Sequence, residues 1–85
     1  MVGEMAERIT ARDQIRLRRF WPVDRATPLF EALVGDDVVF DVGEDGGQFD
    51  IAFHEAAPKY TIEVNIFNAV VADAKARILA SAASE

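Results

Sequence analysis

Residues 38–53, VVFDVGEDGGQFDIAF, decide the fold. On both sides of a glycine-rich centre, large apolar side chains alternate with small or polar ones, which is the pattern of a half-buried β-strand. Asp45-Gly46 is a favoured pair for a two-residue type I′ turn, because both central residues of that turn need a positive φ. The stretch therefore predicts a β-hairpin with this pair at its tip, or with a longer loop from Glu44 to Gly47 in the same register.

The position of the turn fixes the predicted register of the hairpin. It groups the large apolar side chains on one face, whereas a slip of one residue would scatter them over both faces. On the opposite face Asp41 faces Asp50, which is a destabilising like-charge pair, and Asp37 faces His54. The predicted neighbours on the apolar face, all with buried side chains, are Val42–Phe49, Phe40–Ile51 and Val38–Phe53.

Length and composition restrict the class of protein. Eighty-five residues, 51% hydrophobic and 28% charged, fit one globular domain that covers residues 1–85. The chain has no Cys, which excludes disulfides, thiolate catalysis and Cys-ligated zinc. No apolar run approaches the roughly 20 residues that span a membrane, and residues 1–10 lack the apolar segment of a secretory signal. We therefore expect a cytoplasmic protein with no membrane segment.

The net charge of −6 is unevenly distributed. Residues 1–25 contain six Arg and four acidic residues, and residues 59–85 contain three residues of each sign. Residues 26–58 contain eight acidic residues and neither Lys nor Arg. The middle of the chain is thus an acidic block of charge −8, and such a block attracts positively charged surfaces.

The segments before the hairpin predict two helices and a strand. Residues 1–12 favour a short or frayed helix by composition. Residues 14–21 alternate as a strand, and their three Arg suit the edge of a sheet, where charge discourages further pairing. Thr27 and Pro28 are suited to the N-cap and first position of a short helix that Gly35 would end.

The segments after the hairpin predict a strand and a long helix. Residues 60–65 alternate as a third strong strand, and Asn65 is suited to cap the helix that follows. Apolar residues then recur at intervals of three, four and seven, which is the spacing of an amphipathic helix. Residues 81–85 are expected to fray. The residues of this pattern are Phe67, Val70, Val71, Ala74, Ile78 and Leu79, and the first five are predicted to face the sheet.

These elements predict an α+β fold, a two-layer sandwich. Its three- to four-stranded, mostly antiparallel sheet has the hairpin at its centre and packs against the long C-terminal helix and one short helix. The helix is expected to cross the sheet over Phe40, Ile51, Phe53, Ile62 and Val64.

Few residues are suited to chemistry. His54, the only histidine, suits a general base or a metal ligand, or else simply pairs with Asp37. Asp41, Asp50, His54 and Glu63 are candidates for a metal site or for acid–base work on a glycoside, although an open sheet face offers no pocket. The glycines of GEDGG lack the Lys and the helix that a phosphate loop needs. We therefore predict no enzyme activity, no metal and no cofactor.

The Arg-rich segment RLRRFW, residues 16–21, has a composition that can contact nucleic acid. The nearby acidic block opposes such binding, and ion pairs within the protein explain the Arg residues better. We therefore predict no direct binding of nucleic acid.

Charge gives the leading functional prediction. The chain is expected to be a small acidic protein-binding module, of the inhibitor, immunity, antitoxin or phage-decoy kind, for a basic partner protein such as a nucleic-acid-binding protein. The alternative is a homo-oligomer, such as a homodimer, that associates through the outward-facing apolar residues Phe20, Trp21, Val39 and Ala52. The predicted partner-binding residues are Asp36, Asp37, Asp41, Glu44, Asp45, Asp50, Glu55 and Glu63.

Overall fold

The computed structural model describes residues 6–83 of the protein. Two 3₁₀ turns connect the elements, one at Arg12–Gln14 and one at Ala57–Lys59. The elements are β1 (Glu7–Ile9), β2 (Arg16–Phe20), β3 (Leu29–Val34), β4 (Asp37–Asp45), β5 (Gln48–Phe53), β6 (Tyr60–Ile62) and α1 (Val64–Ala83).

The main sheet is antiparallel, with the strand order β2-β3-β4-β5, and α1 packs on one of its faces. A separate parallel pair joins β1 to β6. Buried residues from β3, β4 and α1 form the core between sheet and helix, together with Ile9 and Ile15. The predicted α+β class and the long C-terminal helix are confirmed. Among the described residues, no helix is long and apolar enough to cross a membrane.

The central hairpin forms, but its register differs from the prediction by two residues. Gly46 and Gly47 form the turn, with φ values of 61° and 87°, so Asp45 pairs with Gln48. The Gly47 N–H donates to the Glu44 carboxylate at 2.7 Å and holds the turn. Because the shift is two residues, the apolar side chains keep their common face.

The new register corrects the predicted pairs. Phe40 faces Phe53, Val42 faces Ile51 and Asp41 faces Ala52. The predicted opposition of Asp41 and Asp50 is therefore wrong, as is the pairing of Asp37 with His54. Phe53 and Ile51, predicted to be buried, have exposed fractions of 66% and 36%, because β5 is an edge strand.

The short helix predicted from Thr27 to Gly35 is wrong, because this segment forms the inner strand β3. Phe30, Ala32 and Leu33 are all buried. A short, continuous apolar run fits a buried strand and a buried helix equally well, so its periodicity does not distinguish them. Gly35, with φ of 61°, begins the two-residue turn into β4 rather than ending a helix.

A β-bulge explains a second difference. Ala32 pairs with Phe40 and Leu33 with Val38, so Val39 is an extra residue in β4. A bulge interrupts the alternation of a strand. Val39, predicted to face outward, is buried in the core beside Phe40.

The two ends of the chain also differ from the prediction. Of the helix predicted for residues 1–12, Glu7–Ile9 forms strand β1 and residues 1–5 lie outside the described part. The strand predicted for residues 60–65 ends at Ile62 and pairs with β1, outside the main sheet. Of the tail predicted to fray, residues 81–83 are helical and residues 84–85 are outside the described part.

Helix α1 begins at Val64, so Asn65 is not its cap. The Glu63 side chain instead accepts the Ile66 N–H at 3.1 Å. Of the predicted buried face, Val70, Ala74 and Ile78 are buried, and Phe67 and Val71 are half-buried against the core. Leu79, the last residue of the apolar pattern, is 57% exposed. Val64, predicted beneath the helix, is an exposed residue of its first turn.

Candidate functional site

The eight predicted partner-binding carboxylates divide between the two ends of β4. Asp36 and Asp37 lie at the β3–β4 turn, and Glu55 follows the end of β5 that pairs near them. Glu63 precedes α1, whose Phe67 stacks on Phe53 at this same end. The remaining four, Asp41, Glu44, Asp45 and Asp50, lie in the other half of the hairpin. The two ends of β4 are about 26 Å apart at 3.3 Å per residue, so one small site does not contain both groups.

Asp37 is engaged within the protein. The Tyr60 hydroxyl donates to its carboxylate at 2.6 Å, and the Lys59 ammonium lies 3.7 Å from the same oxygen. The hydrogen bond to Asp37, partial burial, and the negative charges of Asp37 and Glu7 raise the pKa of Tyr60 to about 12. Asp37 therefore serves to hold β6 and the 3₁₀ turn before it against β4.

Tyr60 is the only tyrosine, so its titration can be followed directly by tyrosinate absorbance. We expect a midpoint near pH 12 in the folded protein, against an ordinary value of 10.0. Because the pKa of Tyr60 is raised in the folded protein, the stabilisation from its hydrogen bond to Asp37 is complete below pH 10 and is lost as the pH rises through 12. Asp37→Ala should lower the midpoint toward pH 10. Asp36→Ala removes one negative charge at the neighbouring residue and should change the midpoint little. A wild-type midpoint near 10, with circular dichroism showing the native fold, would contradict this assignment.

His54 pairs with Asp41, across the hairpin. The two side chains approach to 2.7 Å between Nε2 of His54 and Oδ2 of Asp41, and Asp41 is mostly shielded from solvent. Within the part of the chain that the structure describes, no group of three or more His, Asp or Glu side chains is arranged to hold a metal ion. The geometry thus gives His54 a hydrogen-bonding role on the outer face of the sheet.

The loop between β2 and β3 brings a cation to the hairpin. The indole N–H of Trp21 donates to the carbonyl oxygen of Arg25 at 3.0 Å, and the Arg25 N–H donates to that of Pro22 at 3.2 Å. The guanidinium then reaches β4, where Nη2 donates to the Glu44 carbonyl oxygen at 3.0 Å.

Gly43 makes room for this guanidinium. A Cβ atom at this position would lie 3.1 Å from Arg25 Nη2 and would overlap the Leu29 side chain. A glycine within a strand often marks such a close approach. Arg25 Nε is buried and, among the described residues, finds no hydrogen-bond partner.

Carboxylates surround Arg25 on both sides. One cavity of about 410 Å³ is lined by Asp24, Arg25, Thr27, Glu44 and Asp45, with Ala26 and Gly46. A second, of about 210 Å³, adjoins it at Arg25 and Asp45 and is lined also by Asp41 and Asp50. We call these five carboxylates and Arg25 the acidic cleft. Their formal charge is −4, since one guanidinium faces Asp24, Asp41, Glu44, Asp45 and Asp50.

The carboxylates of the acidic cleft differ in what they bind. Glu44 accepts from Gly47 N–H and contacts the Thr27 hydroxyl at 3.2 Å, and Asp41 is paired with His54. Asp45 and Asp50 are exposed, and no described cation lies within ion-pairing distance of either. Asp24 is likewise exposed. The carboxylates of Asp24, Asp45 and Asp50 are therefore accessible to an external ligand.

The Arg-rich segment makes contacts of its own. Arg18 forms an ion pair with Glu31 at 2.8 Å, and Arg16 donates to the Gly35 carbonyl oxygen. These contacts lie along β2, an edge strand as predicted. Only part of the Arg segment is therefore neutralised by the acidic block.

Sequence reasoning missed Asp24, Arg25 and Thr27 as members of the acidic cleft. Asp24 and Arg25 belong to the segment with net positive charge, about twenty residues before the tip of the hairpin. Gly43 is the one sequence feature that indicates such a contact, because a glycine within a strand often marks the close approach of another group. No protein-family model, curated protein or solved structure matches this chain.

Proposed function

We propose that the protein is a small acidic binding module that takes a basic side chain of a partner protein into the acidic cleft. The observation that carries the proposal is the gathering of five carboxylates around a single guanidinium. Their charge is spread over two open cavities rather than focused on one point. Such an arrangement attracts an extended cationic surface and speeds its association.

The composition of the acidic cleft favours a protein ligand. Pockets for small molecules are mostly lined by apolar and aromatic side chains. The larger cavity here is instead lined mainly by polar and charged residues: three carboxylates, the Thr27 hydroxyl and Arg25, with Ala26 and Gly46. A Lys or Arg side chain, with a charged end and a stem that passes over Ala26, suits this lining. Proteins that bind nucleic acid carry such basic surfaces, so they are the partner class that we propose.

The proposed contact involves fewer carboxylates than the acidic block contains. Asp37 and Asp41 are held by Tyr60 and His54, and Glu63 caps α1. Asp36, Asp37, Glu55 and Glu63 lie at the far end of β4 and would meet a partner only through a second contact. We assign direct contact with the partner to Asp24, Asp45 and Asp50.

The test begins with capture of partners from the source cells at about 0.05 M salt and elution at about 0.5 M, where surface charges are screened within a few ångströms. Association of the eluted protein is then measured with the double variant Asp45→Asn/Asp50→Asn. We expect association at low salt to slow by roughly tenfold, with a weaker dependence on salt.

The matched control is Glu7→Gln/Asp13→Asn, which removes the same charge at exposed residues outside the acidic cleft. This control should slow association much less. Equal losses in both double variants would mean that net charge alone attracts the partner, and the proposal would then be wrong. The proposal would also be wrong if no captured protein were eluted at high salt.

A further inference from the structure

Strand β5 forms an uncovered edge of the main sheet. Within the described residues it pairs only with β4, and five of its six residues are exposed. Edge strands are usually protected from further pairing by Lys or Arg, Pro, or a bulge. The opposite edge, β2, carries Arg16, Arg18 and Arg19, whereas β5 has the sequence QFDIAF and a regular register.

The backbone of β5 offers unpaired hydrogen-bonding groups along this edge. The His54 N–H donates to the Val39 carbonyl oxygen at 2.9 Å, so the backbone of His54 faces β4. Backbone groups of successive residues in a strand point to alternate sides. Those of Phe49, Ile51 and Phe53 therefore point away from β4, toward the uncovered edge.

The side chains of the same three residues form an apolar strip beside the helix. Phe53 stacks on Phe67 with ring centroids 6.5 Å apart, and the Lys75 ammonium lies 5.1 Å from the centre of the Phe49 ring. Neighbouring side chains thus hold both ends of the strip in place. A strand that pairs with this edge would meet hydrogen-bonding groups and apolar side chains at the same residues.

The sequence of β5 is complementary to itself. In an antiparallel pair of two copies centred on Ile51, Phe49 of each copy faces Phe53 of the other, and Gln48 faces His54. Asp50 faces Ala52, so the two carboxylates are not opposed. All three outward-facing residues fall in hydrogen-bonded pairs, which gives six backbone hydrogen bonds. A register centred on Asp50 would instead place like charges directly opposite each other.

We infer that the protein forms a two-fold symmetric homodimer in which the β5 strands of two copies pair, centred on Ile51, into one continuous eight-stranded sheet. The two-fold axis is perpendicular to the sheet, so the same surface of each copy forms the interface. The inference concerns the edge of β5 and does not rest on the proposed function, although Asp50 and Ala52 of β5 also line the acidic cleft.

The first test measures mass by sedimentation over a range of concentrations. We expect a mass near twice the 9.4 kDa of one chain, falling to that of the single chain on dilution. The two Asp50 side chains lie diagonally about 7–8 Å apart in this register. Salt screens their repulsion, so dimerisation should strengthen with salt. Partner binding through the acidic cleft should weaken with salt, so the two claims fail independently.

Ile51→Lys tests the surface, because two ammonium groups would meet at the symmetry axis. We expect it to be monomeric at concentrations at which the wild-type protein is dimeric, with native circular dichroism. If Ile51→Lys does not fold, Phe53→Lys, at a more exposed position, replaces it. The matched control is Val23→Lys in the exposed β2–β3 loop, which should remain dimeric.

The register is tested by cross-linking, since the chain has no Cys. Opposed Cα atoms of a hydrogen-bonded pair are about 5.5 Å apart, within the range of a disulfide. Ile51→Cys should therefore form a disulfide-linked dimer on mild oxidation at least tenfold faster than Val23→Cys. Equal rates, a wild-type protein that is monomeric throughout, or an Ile51→Lys variant that is still dimeric would each overturn the inference.

Discussion

Val70→Asp should leave the protein unfolded at 25 °C. Val70 is fully buried, with an exposed fraction of 0%, on the face of α1 that packs against the sheet. The substitution removes a buried apolar side chain and introduces a carboxylate into the apolar core. An uncompensated buried charge costs about 3–5 kcal/mol, and the loss of apolar burial adds about 1.5–3 kcal/mol. A domain of this size has little more than that in total, so circular dichroism should show loss of the fold.

Leu79→Asp is the matched control for this prediction. Leu79 belongs to the same helix and is 57% exposed, so its carboxylate would remain in water. Both variants add one negative charge, and general repulsion therefore cancels in the comparison. We expect the free energy of unfolding of Leu79→Asp to differ from that of the wild-type protein by no more than about 1 kcal/mol. Similar melting temperatures for the two variants would mean that the face of α1 is assigned wrongly.

The parts of the fold that the sequence predicts depend on strong local patterns. The hairpin is one of these, because alternation and glycine occur together within 16 residues. The face of α1 is another, since Val70, Ala74 and Ile78 recur at four-residue spacing. The edge position of β2 followed from its Arg residues. In each case local sequence and tertiary packing favour the same structure.

The parts that it does not predict depend on a choice between local alternatives of similar energy. Asp45-Gly46 and Gly46-Gly47 can both form the turn, and the hydrogen bond from Gly47 to Glu44 favours the second. The run from Leu29 to Val34 fits a helix until β2 and β4 pair with it on both sides. The bulge at Val39 has no local signature in the sequence.

The acidic cleft is likewise only partly predictable from the sequence. Asp41, Glu44, Asp45 and Asp50 are close in sequence, and the hairpin alone brings them together. Asp24 and Arg25 reach them through a loop that Trp21 and Pro22 hold by hydrogen bonds. That loop is positioned by tertiary contacts, so the balance of charge in the cleft follows from the fold and not from the composition of any one segment.

Phe40→Ala should lower the free energy of unfolding by about 3–5 kcal/mol, the usual cost of removing a buried aromatic ring. Phe40 has an exposed fraction of 0% and contacts the rings of Phe67 and Phe53, with centroids 5.2 and 6.0 Å away. The cavity would lie in the core between sheet and helix. Urea denaturation at low protein concentration measures the change.

Phe53→Ala is the control, with the same substitution at the residue that faces Phe40 across the hairpin. Alternation alone makes the two phenylalanines equivalent, and it predicts the same large loss for both. The observed exposure of 66% at Phe53 predicts a loss of about 1 kcal/mol instead, because most of that ring already contacts water. Low concentration keeps any pairing of β5 edges from adding to the stability of the wild-type protein. Equal losses would contradict the placement of β5 at the uncovered edge, whereas a difference of about 2 kcal/mol or more would support it.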